Sequence, residues 1–279
     1  MNTWVDEQSA INHYYDSDFP ARRFCRYPEN FDATTEYQGL RFDVQRYIEI
    51  AQESGGPILE PCCGTGRVAL PLADAGFDVV GVDLSKELIR QFRSKLASES
   101  ATLNDRIEII EQDITQLDLE RHDFPLVIIA FNSLLCLSDF AAQCQALSSL
   151  AAHMKPNGLM LIDIVNPLRL SIAGDPVPKP FFTRKNPHTG LPYTRFAAMS
   201  PFDESHCQDL YGWYDEVADD GSVTRRSYSV TWRPVFRYEI QLMLEQAGLR
   251  IEKIEGGHRG EPYTATSDRM FIHARRESG

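Results

Sequence analysis

The stretch that most constrains the fold of this chain runs over residues 56–83. It reads as a short apolar strand ending in Glu60, a Gly-Thr-Gly turn at 64–66, a helix, and a second apolar strand that ends in Asp83. Glycines let a backbone turn tightly beside a ligand, and a continuously apolar strand is typical of a sheet covered by helices on both faces. Because ligands of such sheets bind outside the carboxyl ends of the strands, the stretch predicts a nucleoside-cofactor site.

Two classes of cofactor match the glycine turn. Gly64-x-Gly66-x-x-Ala69 with a downstream acid also satisfies the dinucleotide fingerprint, so an NAD-dependent oxidoreductase is one alternative. Glu60 argues against it, because a pyrophosphate needs positive potential at this turn. S-adenosylmethionine instead carries a sulfonium, an ammonium and two ribose hydroxyls that can donate to Asp83. The charge pattern therefore favours S-adenosylmethionine.

Four segments resemble the motifs of the Rossmann-like (class I) S-adenosylmethionine-dependent methyltransferases of the small-molecule type. They are Leu59 to Arg67 (LEPCCGTGR), Gly81 to Ser85 (GVDLS), Glu111 to Ile114 (EQDI) and Ala130 to Leu135 (AFNSLL). The resemblance implies an enzyme that transfers the methyl group of S-adenosylmethionine and releases S-adenosylhomocysteine. The family commonly has glycine at the position of Cys62, where we expect altered packing rather than lost binding.

The resemblance also implies where the cofactor binds. The predicted cofactor-binding residues are Glu60, Cys62, Gly64, Gly66, Asp83, Leu84, Asp113, Ile114 and Phe131. In the family, an acid at the position of Asp113 bonds the adenine amino group and the next residue packs against the ring. An amino-terminal tyrosine often touches the methionyl end of the cofactor, which makes Tyr15 a candidate for the site; hydrophobic cover is its alternative role.

Polar residues after later strands, and aromatic residues of an insertion, are candidates for contact with the acceptor. Asn132 terminates a fully apolar strand, and Asn166 follows the next strand at the same crevice. A hairpin signal at residues 220–221 joins two predicted strands within 209–232 that are rich in aromatic residues. The predicted substrate-binding residues are Tyr15, Asn132, Asn166 and Trp213. For Trp213 the alternative is packing inside the small sheet.

The sequence shows no convincing catalytic base or nucleophile, and methyl transfer does not require one. Its leaving group is already activated, so the protein mainly orients two reactants. A hydroxyl acceptor would also need a base, whereas a neutral amine would not. The candidates for proton transfer are Tyr15 and His258, the latter a packed or solvated residue in the alternative. The sequence therefore favours methylation of nitrogen over oxygen, with a non-catalytic S-adenosylmethionine-binding protein as a further alternative.

The length of the chain fits one large domain with elaborations rather than two equal domains. It has 279 residues, of which 43% are hydrophobic. We predict a doubly wound, mostly parallel, seven-stranded Rossmann-like sheet with an antiparallel strand near the C-terminus and a small antiparallel β insertion. The predicted organisation is an amino-terminal lid or arm at 1–38, a cofactor-binding core at 39–168, an insertion roofing the site at 169–232 and a return to the core sheet at 233–279.

Charge and composition limit the kinds of partner that the protein can bind. The net charge is −12, whereas a protein that grips nucleic acid needs a basic footprint, so a nucleic-acid methyltransferase ranks last among the alternatives. No apolar run reaches the length of a membrane span, and the six cysteines show no metal-ligand spacing. We expect a cytoplasmic enzyme of a small-molecule acceptor, without a metal or membrane partner; a homodimer through the small sheet is left open.

Overall fold

The computed structural model describes residues 42–186 and 189–277, together with His13, Tyr14, Asp16 and Asp18. These residues form a seven-stranded mixed sheet, covered by helices, and a separate four-stranded antiparallel sheet. One hydrophobic cluster lies on each face of the large sheet. The predicted doubly wound α/β fold is confirmed.

Strands and helices alternate in the first half of the chain, which is typical of a parallel sheet. In order, the elements are α1 (Asp43–Ser54), β1 (Ile58–Pro61), α2 (Ala69–Asp74), β2 (Val79–Asp83), α3 (Lys86–Leu96), α4 (Ala101–Asn104), β3 (Ile107–Glu111), β4 (Phe124–Ile129), α5 (Phe140–Ala152) and β5 (Met154–Val165). The second half contains β6 (Asp175–Lys185), β7 (Pro192–Met199), β8 (Gln208–Val217), β9 (Val223–Trp232), α6 (Arg237–Gln246), β10 (Leu249–Glu255) and β11 (Arg269–Arg276).

The order of strands in the large sheet is β10-β11-β5-β4-β1-β2-β3. β11 runs antiparallel to both of its neighbours, β5 and β10, as predicted for a strand near the C-terminus. β1 pairs with β2 on one side and with β4 on the other, so the direction of winding reverses beside β1. In open α/β sheets this switch point is where the ligand crevice forms.

Register brings the functional ends of the first strands to one edge. Glu60 of β1 is the partner of Gly81, and Asp83 of β2 is the partner of Glu111 at the end of β3. Because the three strands are parallel and in register, their carboxyl ends lie side by side. The acids that the sequence placed at strand ends therefore share one edge of the sheet.

The start of β5 differs from the prediction. The sequence indicates a turn at residues 156–158 and a strand from Leu159, whereas β5 begins at Met154 and its register to β4 shifts before Leu159. Asn157 has a left-handed backbone, with φ 59°. A polar residue that tolerates this conformation thus makes a bulge inside the strand instead of ending it.

The insertion contains more strands than the sequence indicates. The predicted hairpin is present as β8 and β9, within one residue of the expected ends. β6 and β7 complete the small sheet, in the order β6-β7-β8-β9. The prolines of β6 are compatible with a strand because β6 lies at the edge of the sheet, where proline removes no ladder hydrogen bond that is needed.

No helix of the residues described is long and apolar enough to cross a membrane.

Candidate active site

The glycine turn after β1 is shaped by left-handed residues. Gly66 has φ 82°, and a Cβ there would lie 2.2 Å from the ring of Phe92, a buried residue of α3. Cys62 also has a positive φ, 57°. This explains why related enzymes have glycine at that position; the cysteine keeps the turn at a cost of about 1 kcal/mol.

Asp83 holds the turn together through its carboxylate. Its Oδ2 accepts a hydrogen bond from the Gly64 N–H at 2.7 Å, and its Oδ1 accepts one from the Ser85 N–H at 2.8 Å. Burial raises the pKa of Asp83, and the backbone N–H groups of Ser85 and Gly64 oppose the rise. Because a carboxylate oxygen has two lone pairs, both oxygens can accept a further hydroxyl.

Glu60 is a buried carboxylate with an unused acceptor. Its side chain is 2% exposed, and Oε2 has no hydrogen-bond partner among the described residues. Burial raises the pKa of Glu60 to about 8, the Arg67 guanidinium opposes the rise, and the Asp83 carboxylate adds to it. A buried acceptor next to a second carboxylate is an environment that a cationic ligand would stabilise.

The end of β4 has an unusual backbone. Phe131 and Asn132 follow the strand with φ 41° and 61°. Asn132 is fixed from both sides, because its N–H donates to the Asp163 carbonyl at 2.8 Å and its Oδ1 accepts from the Val165 N–H at 2.7 Å. Its buried Nδ2 has no partner among the described residues. Such strain clusters at ligand sites, which agrees with the position predicted for both residues.

Arg269 is a site residue that the sequence did not reveal. It begins β11 opposite Val165, at the carboxyl end of β5. Its guanidinium lies 5.8 Å from the centre of the Phe131 ring and donates to Asp163 through Nε at 2.8 Å. Nη1 is buried and has no partner in the described part of the chain. The only feature of the sequence that could have indicated Arg269 is that an arginine is the first residue of an apolar strand.

Asp163 collects partners from three elements. Its Oδ2 accepts from the Tyr47 hydroxyl at 2.7 Å and lies 3.0 Å from His258 Nε2. Burial raises the pKa of Asp163, but Arg269 and His258 lower it more strongly, to well below its ordinary range. Burial lowers the pKa of His258, but the Asp163 carboxylate raises it more strongly. The pKa of His258 is therefore above its ordinary value.

This ion pair changes the interpretation of His258. Its ring contacts Tyr47 of α1 and Phe271 of β11, which belong to the cluster on the α1 face of the sheet. The buried aromatic residues of the small sheet belong to the other cluster. His258 is thus packed and ion-paired on the face away from the insertion, in agreement with the alternative given for it, and its position lends no support to proton transfer.

The predicted adenine contacts lie beyond β2 and β3. Asp113 caps a 3₁₀ turn, and its Oδ1 accepts from the N–H and the hydroxyl of Thr115, both at 2.8 Å. Ile114 is buried, and Leu84 is exposed directly after Asp83. The structure brings these residues to the same edge as Asp83; contact with adenine stays a prediction.

Asn166 has a structural role in the protein. Its Nδ2 donates to three carbonyls of the loop before β11, and its Oδ1 accepts from the Tyr263 hydroxyl at 3.0 Å and from the Leu168 N–H at 3.2 Å. The amide is therefore saturated by the protein. Its position does not support the predicted contact with substrate, because no polar atom is left for one.

Trp213 lies on the outer face of the small sheet. Its indole ring stacks on the ring of Phe196, and the Arg225 guanidinium lies over the indole. The indole Nε1–H donates to the Asp215 carboxylate. Successive side chains of a strand point to opposite faces, so the neighbouring Tyr214 points inward and is fully buried. The predicted substrate contact by Trp213 is not supported by this orientation, which the aromatic composition of the strand could not reveal.

The described residues of the amino-terminal segment connect the glycine turn to the small sheet. Asp16 accepts from the Thr65 hydroxyl at 2.6 Å and from Lys95 Nζ at 2.8 Å. Asp18 is buried and accepts from the Tyr193 and Tyr214 hydroxyls, and it pairs with Arg195 at 3.1 Å. Tyr14 stacks on Tyr214. Tyr15, the predicted contact of the cofactor, lies outside the described residues.

Fold and site together define an α/β enzyme with a nucleoside-binding crevice at the switch point of its sheet. Residues 58–158 match the family model described as a methyltransferase domain. Relatives along most of the chain include the putative methyltransferase YqeM of Bacillus subtilis, 25% identical over 83% of this chain and 88% of that protein. The cypemycin N-terminal methyltransferase of a Streptomyces species is 26% identical over 80% of this chain and 84% of its own length.

Solved structures share the fold over nearly the whole chain. The CcbJ methyltransferase of Streptomyces caelestis superposes with a TM-score of 0.77 at 20% identity, over 99% of both chains. The sugar N-methyltransferase KedS8 of Streptoalloteichus superposes with a TM-score of 0.67 at 20% identity, over 95% of this chain and 93% of its own. CalS10 is an amino pentose methyltransferase of Micromonospora echinaspora whose structure contains S-adenosylmethionine. It superposes with a TM-score of 0.65 at 19% identity, over 84% of this chain and 89% of its own.

The match and the relatives along most of the chain support a class I S-adenosylmethionine-dependent methyltransferase. S-adenosylmethionine, the cofactor that the charge pattern at the glycine turn predicted, is supported by this match and by its presence in the CalS10 structure. The oxidoreductase alternative is therefore dropped.

Proposed function

We propose that the enzyme methylates the nitrogen of a small-molecule amine. The observation that supports this proposal is the packing of the small sheet against the residues that follow β4. Inward residues of the small sheet, among them Tyr228 and Trp232, belong to the same hydrophobic cluster as Leu134 and Leu135, which follow β4 at the crevice. A site closed in this way suits a small acceptor better than a nucleic acid or a protein surface, and it keeps water from the reacting atoms.

The unpartnered buried atoms fit the charged groups of the cofactor. Glu60 Oε2 is an acceptor suited to the ammonium, and Arg269 Nη1 is a donor suited to the carboxylate. Asp83 would accept from the ribose hydroxyls, and Asp113 from the adenine amino group. The remaining predicted residues, Cys62, Gly64, Gly66, Leu84, Ile114 and Phe131, would shape the cavity around it.

S-adenosylmethionine, when bound, would supply a methyl group on a sulfonium; its carbon–sulfur bond would break as the nitrogen lone pair of the acceptor bonds to the methyl carbon. The protein's part is orientation and exclusion of water, which can account for about 7–11 kcal/mol of a barrier. The methylated nitrogen then loses a proton to solvent. Asn132, which has a left-handed backbone and an unpartnered Nδ2 among the described residues, would position the acceptor.

Nitrogen is favoured over oxygen for two reasons. The histidine considered as a base, His258, is ion-paired on the face of the sheet away from the small sheet. Several similar proteins are named for methylation of nitrogen, including an N-terminal, a sugar and a glycopeptide N-methyltransferase. An amine acceptor needs no base if it binds unprotonated.

The test is methyl transfer from isotope-labelled S-adenosylmethionine to a panel of primary and secondary amines, alcohols and phenols, read by mass spectrometry. We expect products heavier by one methylene group, with the label on nitrogen. Labelled ethers alone would overturn the choice of nitrogen. Tight cofactor binding without any product, on this panel and on a metabolite extract, would instead indicate a non-catalytic cofactor-binding protein.

A further inference from the structure

Two buried side chains at one end of the small sheet lie opposite each other. Gln208 begins β8 and Trp232 ends β9, and their Cα atoms are register partners. Directly opposite residues of antiparallel strands share one face, here the inward face. Gln208 is 1% exposed and Trp232 is 8% exposed. Any group that the two side chains bind is therefore enclosed.

Each of these side chains has one polar atom without a partner among the described residues. Gln208 Nε2 donates to the carbonyls of Ser171 and Ser200, at 2.8 and 2.9 Å, which fixes the amide and leaves Oε1 as an unused acceptor. Trp232 Nε1 is an unused donor. Buried polar groups almost always have partners in native proteins. One donor and one acceptor on register partners, both unsatisfied, indicate a missing ligand group.

The pair lies at the crevice. Ser171, which Gln208 contacts, belongs to the loop that follows β5. Arg233, next to Trp232, donates its N–H to the Leu135 carbonyl at 2.8 Å, in the 3₁₀ turn after β4. The two side chains thus stand between the loops at the carboxyl ends of β4 and β5, on the side of the sheet that the insertion covers.

We propose that Trp232 and Gln208 bind a hydroxyl group of the acceptor, a group separate from the nitrogen that is methylated. A hydroxyl can accept from Trp232 Nε1–H and donate to Gln208 Oε1 at once. An ammonium cannot accept, an ether cannot donate, and a carboxylate would face the Gln208 oxygen unpaired. The reacting amine does not fit either, because the Trp232 hydrogen bond would occupy its lone pair. The substrate class is a hydroxylated amine, an inference that rests on the proposed function.

The indole N–H of Trp232 gives a direct readout of hydroxyl binding. The sequence has three tryptophans, so ¹⁵N-tryptophan labelling gives few signals, and the Trp232→Phe variant assigns the relevant one. The protein with S-adenosylhomocysteine is titrated with amino sugars, aminocyclitols and amino alcohols, each beside its deoxy counterpart. We expect the Trp232 signal to shift with hydroxylated members and not with their deoxy partners. Equal shifts, no shifts, or a signal that reports bound water only would overturn the proposal.

Turnover provides the second measurement. A site built to bind a hydroxyl rejects analogues without it, so kcat/KM for the deoxy amine should fall at least about 100-fold. Trp232→Phe should lower kcat/KM about tenfold or more for the hydroxylated amine and little for the deoxy one. Trp213→Phe makes the same change on the outer face and should have no effect. If methylation proceeds without this discrimination, the hydroxyl site is wrong and the proposed function stands; if no amine is methylated, the proposed function itself fails.

Discussion

At the scale of single residues, Glu60 is a buried carboxylate whose unpartnered oxygen a cationic ligand would stabilise. A carboxylate with a pKa of about 8, one unused oxygen and a second acid nearby is unfavourable in the cofactor-free protein. A sulfonium and an ammonium would relieve that cost. The sequence alone located Glu60 at the turn, but its burial and its unused oxygen depend on the packing around it.

Cofactor binding should therefore release a proton from Glu60. The free carboxyl is protonated below about pH 8, and the cationic cofactor favours the ionised form. Affinity for S-adenosylmethionine should rise up to about tenfold per pH unit below that value and level off above it. Calorimetry in two buffers with different ionisation enthalpies measures the proton. Glu60→Gln should bind more weakly, with no proton released at this site.

The Glu60→Gln variant should also be more stable than the wild type without cofactor. The pKa of Glu60 is raised from 4.5 to about 8 in the folded state. Between these values the carboxyl ionises in the unfolded protein but not in the folded one, so the wild type loses stability as pH rises from 4.5 to about 8. We expect the variant to gain about 4 kcal/mol at pH 8 and nothing near pH 4. Denaturant unfolding at both pH values measures it. An equal effect at the two pH values would contradict the assignment.

At the scale of elements, the glycine turn is rigid because α3 packs beneath it. Gly66→Ala would place a methyl group inside the Phe92 ring, in addition to requiring a left-handed backbone. We expect a loss of about 2–4 kcal/mol in the free energy of unfolding and loss of cofactor binding. Gly76→Ala is the matched control, because φ is 100° and no atom lies within 4 Å of its Cβ. It should cost about 1 kcal/mol and leave binding intact.

The amino-terminal segment is anchored to the small sheet by a buried charge. Asp18→Asn would leave Arg195 buried without its carboxylate partner, at a cost of about 3–5 kcal/mol. Hydrogen exchange should rise in β7 and β8, which carry Arg195 and Tyr214, the partners of Asp18. Asp16→Asn changes a half-buried pair with Lys95 and should cost about 1 kcal/mol or less. Similar exchange in the two variants would contradict this anchoring.

At the scale of the whole molecule, the Asp163 network fastens α1, β5 and the loop before β11 to one another. The pKa of His258 is raised above 6.5, so its contribution is complete below that pH and is lost as pH rises through the folded value. The pKa of Asp163 is lowered from 3.8, so its contribution holds above that value. The pair should stabilise the fold most between those two values.

His258→Gln should accordingly lower the free energy of unfolding by about 1–3 kcal/mol near pH 6, and by less near pH 9. Thermal or denaturant unfolding across this range measures the difference. A loss that is constant with pH would mean that the His258 ring acts by packing alone.

What the amino-acid sequence determined by itself was local and periodic. Apolar strands that end in acids, a glycine turn between them, and the hairpin at residues 220–221 are set by neighbouring residues, because backbone conformation and side-chain period are short-range properties. They were enough to predict the sheet and the class of cofactor. The tertiary structure alone decided which way strand residues point and which polar atoms are left unsatisfied. Trp213 faces outward, Asn166 is saturated by a distant loop, and Arg269, Gln208 and Trp232 gain their importance from segments far away in the chain. Burial and pairing depend on long-range packing, which no local pattern encodes.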